Sequence, residues 1–332
     1  MLQLKNLMEK TNILITSAGR RVSLINSFKT EIKELSLNAE VYCTDLYPEL
    51  SSACQVSDNS FKVSRVTDDN YIEQLLEICI QNNIKVVIPT IDTELEILAK
   101  NETLFQEHHV HIIISDLDFI KKCRDKRLIH KFFDSIIFKR AEEYPLNGIK
   151  YPVFIKPSDG SRSQGLHLIK NKIDLTSELT ENKKNMFLAY YNPDIYNEFT
   201  VDIYFNKNSK IIAIIPRERL FVRDGEVNKA CTRKNEIVDV VKEKFKNVKG
   251  LKGCITLQVF FNSENKDIVG IEINPRFGGG FPLTYLSGAN FPKWILEEYL
   301  LDKNIETYFD TWEEDLLMLR YDHEILVNGF KN

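Results

Sequence analysis

Short apolar segments alternate with amphipathic helical segments through the first 115 residues, and this pattern constrains the fold more than any other feature of the chain. Strands are predicted at residues 12–16, 40–44, 85–89 and 110–114, and helices at 22–35, 71–81 and 93–100. The last helix would begin at Thr93, with Glu96 three residues later as in a capping box. Strands that alternate with helices form a parallel sheet with helices on both faces. The sequence therefore predicts an α/β domain.

The loops after these strands would lie together at one edge of the sheet, where open parallel sheets bind ligands. They comprise residues 17–21, Asp45 and residues 90–94. Ordinary loop polarity and helix capping are the competing explanation for each of these residues. The dinucleotide fingerprint G-x-G-x-x-G is incomplete here, because Gly19 alone represents it. We therefore do not expect a dinucleotide site.

A polar β-hairpin is predicted near the C-terminal end of the chain. Its strands would span residues 255–261 and 268–274, with a polar loop between them. Side chains two apart on a strand share a face, so Glu272 and Asn274 point the same way, and the hairpin register places Gln258 opposite Glu272. Three oxygen-bearing side chains would suit a hard cation such as Mg²⁺. A half-exposed hairpin with a polar face is the alternative interpretation.

A lysine ends another predicted strand, at residues 151–157, and a small glycine-bearing loop follows it at residues 158–165. Such a loop can surround phosphate oxygens with backbone N–H groups, and Lys156 would add a positive charge to the same phosphates. The alternative is a plain surface hairpin. A lysine inside an otherwise apolar strand is rarely left without a partner, so the sequence favours a phosphate site.

Composition narrows the function classes. The net charge of −4 and the absence of a basic run give no support for nucleic-acid binding. No apolar run approaches the roughly 20 residues that a membrane span needs. The first ten residues do not have the pattern of a signal peptide. The six cysteines form no C-x-x-C pair, so we expect reduced thiols in a cytoplasmic protein.

These motifs occur in a characteristic order along the chain. Lys126 comes first, followed by Lys156 with its loop, then Tyr190 and Glu198, and finally Gln258 with the stretch Glu272-Ile-Asn-Pro-Arg276. In this order they resemble the ATP-grasp superfamily, and in particular its carbamoyl-phosphate-synthase-like branch with short stand-alone members.

The resemblance implies an N-terminal Rossmann-like preATP-grasp domain followed by a two-part α+β ATP-grasp fold. The expected divisions are a preATP-grasp domain at 1–115, a helical linker with the first ATP lysine at 116–139, a lid subdomain at 140–205 and a C-terminal subdomain at 206–332.

The resemblance also implies roles for individual residues. Lys126 and Lys156 would contact the ATP phosphates, and Arg276 would steady the transferring phosphoryl group. The remaining nucleotide contacts would come from Ser161, Ser163 and Gly165 in the phosphate loop, Ala189, Tyr190 and Tyr191 at the adenine, and Glu198 at the ribose. Gln258, Glu272 and Asn274 would hold Mg²⁺, with Mn²⁺ as an alternative. Many family members have an acid where this chain has Gln258, so this metal site would carry one negative charge fewer.

The activity implied is that of an ATP-dependent carboxylate–amine or carboxylate–thiol ligase that works through an acyl phosphate. Alternatives are a short carbamoyl-phosphate-synthase-like enzyme, a small-molecule kinase, or a nucleotide-binding sensor without turnover. The ligase activity implies small-molecule carboxylate and amine substrates, and it is compatible with a homodimer. An acyl phosphate needs cationic partners, and the one locally basic region contains Arg217, Arg219, Arg223, Lys229 and Arg233. We predict that Arg217 and Arg233 line the acceptor pocket, against the alternative of a solvated basic loop.

Overall fold

The computed structural model describes residues 10–159, 165–223 and 225–330. Its first domain is built around a five-stranded parallel sheet. In chain order the elements are β1 (Asn12–Ile15), α1 (Val22–Glu34), β2 (Val41–Asp45), α2 (Ser52–Val56), β3 (Asn59–Lys62), α3 (Tyr71–Gln81), β4 (Ile84–Ile88), α4 (Asp92–Lys100), α5 (Glu102–Glu107) and β5 (His111–Ile112). The strand order is β3-β2-β1-β4-β5. The predicted α/β domain is confirmed.

The start of α4 differs from the prediction. The helix begins at Asp92 rather than at Thr93, and its first turn is held by Glu94 instead of Glu96. One Glu94 carboxylate oxygen accepts hydrogen bonds from the backbone N–H groups of Thr90 at 2.7 Å and Ile91 at 3.1 Å. The capping carboxylate is therefore buried inside the domain, because it reaches back toward the end of β4.

Two helices, α6 (Leu117–Arg124) and α7 (Lys126–Ser135), form the linker that was predicted as helical. They are separated at Asp125, whose backbone is extended with φ −121° and ψ 118°. The Asp125 carboxylate accepts hydrogen bonds from the backbone N–H groups of Arg127 and Leu128 at 2.7 and 3.3 Å. This N-cap starts a new helix directly at Lys126.

A small antiparallel sheet follows the linker. It contains β6 (Val153–Pro157), β7 (His167–Ile169) and β8 (Asn185–Ala189) in the order β7-β6-β8, with the short helix α8 (Ser177–Glu181) in the connection between β7 and β8. Strand β6 is central, so the backbone of the segment that carries Lys156 is paired on both sides.

A six-stranded antiparallel sheet forms the C-terminal part of the chain. Its elements are β9 (Asn197–Phe205), β10 (Ile211–Arg223), β11 (Glu226–Thr232), α9 (Ile237–Phe245), β12 (Gly253–Asn262), β13 (Asp267–Asn274), α10 (Phe281–Leu286), α11 (Phe291–Tyr299) and β14 (Leu317–Leu319). The strand order is β13-β12-β9-β10-β11-β14. The expected range of the lid, 140–205, therefore includes a strand that pairs inside the larger sheet, because β9 lies between β12 and β10.

The two faces of the six-stranded sheet differ in chemistry. One face is apolar and is covered by α7 and α9, with Phe133 and Phe245 fully buried against Val201 and Leu257. The other face carries charged and polar side chains on four neighbouring strands. This division follows from the two-residue period of the strands, which sends alternate side chains to opposite faces.

The first domain and the six-stranded sheet share a hydrophobic core. Helix α1 packs against α11, and the aromatic rings of Phe28 and Phe277 meet edge to face with centroids 6.4 Å apart. This shared core fixes the ligand-binding edge of the parallel sheet next to the loop that follows β13.

Two further findings concern the chain as a whole. Among the described residues, no helix combines the length and apolar character needed to cross a membrane. All six cysteines are free, and every one except Cys123 is buried. The expectation of unpaired, mostly buried thiols agrees with this arrangement.

The contact between α7 and β13 leads to a test of the fold. A Cβ atom on Gly270 would lie 2.8 and 2.9 Å from two ring atoms of Phe133. Because the ring is held in a packed core, Gly270→Ala should destabilise the protein by about 1–3 kcal/mol. Urea unfolding measures this change. In the background of Phe133→Leu the same substitution should cost clearly less, and equal costs in both backgrounds would contradict the packing described here.

Candidate active site

The polar face of the six-stranded sheet forms the floor of the site, and strand register determines which side chains share it. Gln258 pairs with Thr200 on one side and with Glu272 on the other. The hairpin register predicted from the sequence is therefore the one observed. The amide nitrogen of Asn274 donates to a Glu272 carboxylate oxygen at 3.2 Å, so the two side chains do lie on one face.

Lys156 reaches this floor from the small sheet. Its side chain is buried, and Nζ lies 3.5 Å from the carbonyl oxygen of Ile271 in β13. Burial lowers the pKa of Lys156 to about 8, while the negative charge of Glu272 acts in the opposite direction and the positive charge of Lys126 adds to the effect. The lysine at the end of β6 thus lies between the two sheets, close to the predicted metal-binding carboxylate.

Lys126 is placed at the same site by the N-cap of α7. Its backbone N–H donates to the carbonyl oxygen of Ser158 at 2.9 Å, which attaches the start of the helix to the loop after β6. The charges of Lys126 and Lys156 influence each other. The structure therefore brings together the two lysines that are 30 positions apart in the sequence.

The segment after β8 closes another side of the site. The rings of Tyr191 and Phe260 stack with centroids 5.4 Å apart, and the backbone N–H of Ala189 donates to the carbonyl oxygen of Glu142 at 2.9 Å. Glu198 lies nearby on β9, with its carboxylate 3.4 Å from Nε of Arg219. Burial raises the pKa of Glu198, and Arg219 counteracts part of this shift.

The predicted metal-binding side chains offer one carboxylate and two amide oxygens. Among the described residues, no group of three or more His, Cys, Asp or Glu side chains could hold a metal ion. Gln258, Glu272 and Asn274 fit Mg²⁺ all the same, because this ion commonly takes one or two carboxylates from the protein and completes its shell with waters and substrate phosphates.

Arg276 connects the floor of the site with the first domain. Its Nε and Nη2 atoms donate to the two carboxylate oxygens of Asp92, at 2.9 and 2.6 Å, and Nη1 donates to the carbonyl oxygen of Phe277 at 3.1 Å. Asp92 begins α4 at the ligand-binding edge of the parallel sheet. The site is therefore enclosed by all three parts of the chain.

Arg217, which was predicted to line the acceptor pocket, lies inside the protein. It is completely buried, and its Nε and Nη2 atoms donate to the two carboxylate oxygens of Asp202, both at 3.0 Å. Asp202 also accepts hydrogen bonds from Thr256 at 3.1 Å and Thr284 at 2.6 Å. Asp202 therefore neutralises the Arg217 charge, while Nη1 has no hydrogen-bond partner among the described residues. The role of Arg217 at the acceptor stays a prediction.

Arg233, the other arginine predicted to line the acceptor pocket, is paired with two carboxylates. Its Nε donates to a Glu218 carboxylate oxygen at 2.9 Å, and its Nη1 is paired with Asp315. Two carboxylates therefore hold this guanidinium on a partly exposed part of the sheet. Arg233 therefore belongs to an ion-pair network, and its role at the acceptor stays a prediction.

The predicted phosphate loop lies largely outside the described residues. Ser161 and Ser163 fall in that part of the chain, so their placement is not described. Gly165 is described: it has φ +69°, and a Cβ atom there would lie 3.0 Å from the ring of Pro157. The turn leading into β7 thus needs glycine at this position.

Two further residues lie at the site: Arg21, which the sequence placed at the ligand-binding edge without a role, and His130, which sequence reasoning missed. Arg21 donates from Nη2 to the carbonyl oxygen of Thr90 at 2.9 Å, which brings it to the segment that holds Asp92. His130 is buried beside Lys156, and neither of its ring nitrogens has a hydrogen-bond partner among the described residues. Burial lowers the pKa of His130 to about 4. Its position four residues after Lys126 on one helix face was an available signal.

Two protein-family models match separate parts of the chain. The model for the PylC-like N-terminal domain matches residues 13–113, which is the parallel α/β domain. The model described as ATP-grasp in the biosynthetic pathway with Ter operon matches residues 184–320, from β8 to the end of β14. No curated protein matches the chain.

Solved structures share the whole architecture at low sequence identity. The biotin carboxylase domain of Hydrogenobacter thermophilus 2-oxoglutarate carboxylase, solved with MgADP, ADP and bicarbonate, has 13% identity and a TM-score of 0.71, with 92% of this chain and 73% of that chain covered. The Staphylococcus aureus N5-carboxyaminoimidazole synthetase complexed with ADP has 17% identity and a TM-score of 0.68, with coverage of 89% and 78%. Biotin carboxylase from Campylobacter jejuni has 13% identity and a TM-score of 0.67, with coverage of 92% and 74%.

The family models and the shared architecture agree with the site geometry. The parallel domain, the small sheet with its buried lysine and the large sheet with its polar face occur in the order expected of one superfamily. The chain is an ATP-grasp superfamily protein.

The buried pair of Asp202 and Arg217 leads to a stability prediction. Asp202→Ala should destabilise the protein by about 3–5 kcal/mol, because it leaves the Arg217 guanidinium buried without a counter-charge. Asp315→Ala removes one carboxylate from the solvent-accessible ion pair with Arg233, and it should change the free energy of unfolding by about 1 kcal/mol or less. Chemical denaturation of both variants checks the contrast, and similar losses in the two would refute it.

Proposed function

We propose that the protein is an ATP-dependent ligase that joins a small-molecule carboxylate to an amine, or to a thiol, through an acyl phosphate. The observation that supports this most is the convergence of Lys126, Lys156, Glu198 and Glu272 between the two sheets, with Arg276 at the end of the same cleft. Two of the similar structures contain ADP. Their common fold supports the same nucleotide position in this chain.

The nucleotide would lie between the small sheet and the polar floor. Lys126 and Lys156 would contact its phosphates, and the loop with Ser161, Ser163 and Gly165 would cover them. The backbone of Ala189, Tyr190 and Tyr191 would meet adenine, and Glu198 would accept hydrogen bonds from the ribose hydroxyls. These assignments fit the burial of Lys156, whose ammonium group lies near the carbonyl oxygen of Ile271 and forms no salt bridge in the described part of the chain.

Glu272, Asn274 and Gln258 would hold Mg²⁺, or Mn²⁺ in its place. When bound, the ion would neutralise phosphate charge during the transfer. The protein itself would supply Glu272 as the one charged donor. The hydrogen bond from the Asn274 amide nitrogen to Glu272 orients both side chains and leaves the Asn274 amide oxygen available as a metal ligand.

The reaction would take place in two displacements. A carboxylate oxygen of the acceptor attacks the γ-phosphorus of ATP, the bond from this phosphorus to the bridging oxygen breaks, and ADP leaves. The amine nitrogen then attacks the acyl carbon, inorganic phosphate leaves with the electron pair of the C–O bond, and the amine loses a proton to solvent or phosphate. Phosphoryl transfer mainly needs alignment and charge neutralisation, which the two lysines and Arg276 would provide.

ADP release across pools of carboxylic acids and amines tests the proposed function. We expect Mg²⁺-dependent ADP release that requires one acid, and formation of the ligated product when an amine is added. Glu272→Ala should abolish this turnover without unfolding the protein, while Glu264→Ala, in the exposed turn of the same hairpin, should retain it. A stable phosphorylated product formed without an amine would indicate a kinase, and nucleotide binding without any turnover would indicate a sensor.

The buried lysine leads to a prediction about pH. The pKa of Lys156 is lowered to about 8, so its ammonium form is present below that value and is lost as the pH rises through it. MgADP affinity should therefore fall between about pH 7 and 9 in the wild-type protein. Lys156→Arg should remove this dependence because arginine stays charged. Lys156→Ala should bind weakly at every pH, and calorimetry at three pH values measures all three proteins.

Lys131→Ala is the matched control for this experiment, since Lys131 is an exposed lysine on α7. It should keep the wild-type affinity and the wild-type pH profile. Equal nucleotide affinity of wild type and Lys156→Ala would mean that the lysine at the end of β6 has a purely structural role.

A further inference from the structure

Two arginines from different parts of the chain are anchored on one three-residue segment of the first domain. Arg21 donates from Nη2 to the carbonyl oxygen of Thr90 at 2.9 Å. Two residues later, Asp92 receives the bidentate hydrogen bonds of Arg276. The segment from Thr90 to Asp92 therefore holds two guanidinium groups side by side at the end of the nucleotide cleft.

Arg21 differs in its partners from Arg217, another arginine shielded from water. Arg217 is buried with the carboxylate of Asp202 against it, so its charge is balanced. Arg21 is also partly buried, but it forms no salt bridge with any described residue, and its hydrogen-bond partner is a neutral carbonyl group. Withdrawing a charge from water without a counter-ion is unfavourable. Burial and the nearby charge of Arg276 lower the pKa of Arg21 to about 10.

The acidic residues near Arg21 are already engaged elsewhere. Asp92 is paired with Arg276, and Glu226 at the start of β11 is paired with Arg320 at 3.2 Å. Glu94 accepts hydrogen bonds from Ser17, Tyr71, Thr90 and Ile91. Each of these carboxylates therefore has other partners, and the Arg21 guanidinium keeps donors that can receive an anion.

The loop that carries Arg21 is rigidly held. The hydroxyl oxygen of Thr90 lies within hydrogen-bond distance of the carbonyl oxygens of Thr16 and Ser17, at 2.9 and 2.8 Å, and the Ser17 hydroxyl donates to Glu94 at 2.9 Å. The loops after β1 and β4 are thus joined by buried hydrogen bonds. A guanidinium on such a support is preorganised for binding, which reduces the entropic cost of holding a ligand.

The glycines after Arg276 let another strand pair approach this position. A Cβ atom on Gly279 would lie 3.2 Å from the carboxyl carbon of Glu226, and one on Gly280 would lie 2.6 Å from a methyl carbon of Val227. The β10–β11 hairpin can therefore come close to the loop after β13. This hairpin, the loop after β13 and the edge of the parallel sheet therefore meet near Arg276.

We propose that Arg21 binds the carboxylate of the acceptor acid, next to Arg276, so that the first domain determines which acid is used. This inference rests on the proposed ligase function and places the acceptor at an arginine that, unlike Arg217 and Arg233, has no carboxylate partner among the described residues. The ligand class is a small carboxylic acid, because the planar fork of the Arg21 guanidinium matches a carboxylate and, unlike that of Arg276, is not occupied by a carboxylate of the protein.

Calorimetry on the full-length protein saturated with MgADP tests the assignment. The probes are acetate, succinate, citrate and the twenty common L-amino acids, and we expect at least one to bind to the wild-type protein. Arg21→Gln should weaken that binding about tenfold or more, since it removes charge-assisted hydrogen bonds. Arg21→Lys should retain part of the affinity because it keeps the charge without the fork. MgADP affinity should be unchanged in both variants.

Arg20→Gln is the matched control, since Arg20 is the exposed neighbour of Arg21 on the same loop, and it should bind the acid like the wild type. In turnover, Arg21→Gln should raise the KM for the acid and leave the KM for ATP unchanged. Wild-type acid affinity in Arg21→Gln would overturn the inference, as would binding of none of the probes to the MgADP-saturated protein. A protein that does not bind MgADP would instead refute the proposed function itself.

Discussion

The buried ion pair between Asp202 and Arg217 is the interaction on which the polar face of the large sheet depends. Asp202 lies on β9, Arg217 on β10, Thr256 on β12 and Thr284 on α10, and the Asp202 carboxylate binds the other three. A carboxylate shielded from water is stable only when its oxygens are paired and hydrogen-bonded. This requirement fixes the relative positions of three strands and a helix. The remaining positions on the same face of the sheet can then carry the charged side chains of the site.

The charges of the site can then be separated into two groups. Those of Arg217 and Arg233 are balanced by carboxylates of the protein, so they serve the structure. Lys156 and Arg21 are shielded from water without a salt bridge among the described residues, and both lie where the proposed substrates would bring negative charge. Because an unpaired shielded cation is costly in the free protein, its retention is better explained by a ligand than by stability.

The features that depend on local periodicity could be predicted from the sequence. The register of Gln258 opposite Glu272 follows from a two-residue period and a short turn, and the parallel domain follows from its alternating segments. Strand β3 was missed because its residues are largely exposed and carry no apolar alternation. The partner of Arg217 could not be predicted, because it depends on how β9 and β10 align, and residues 15 positions apart give no local signal for that alignment.

The same limitation explains how Arg21 was overlooked, although its loop was recognised as part of a ligand-binding edge. The role of Arg21 depends on the contact between Asp92 and Arg276, which are 184 residues apart in the sequence and lie in different domains. The buried pair also contributes to this contact, because the Thr256 hydroxyl lies within hydrogen-bond distance of both Asp202, at 3.1 Å, and the carbonyl oxygen of Arg276, at 3.0 Å. Arg217 therefore takes part in the site indirectly. By holding Asp202, it supports the backbone from which Arg276 extends toward the first domain.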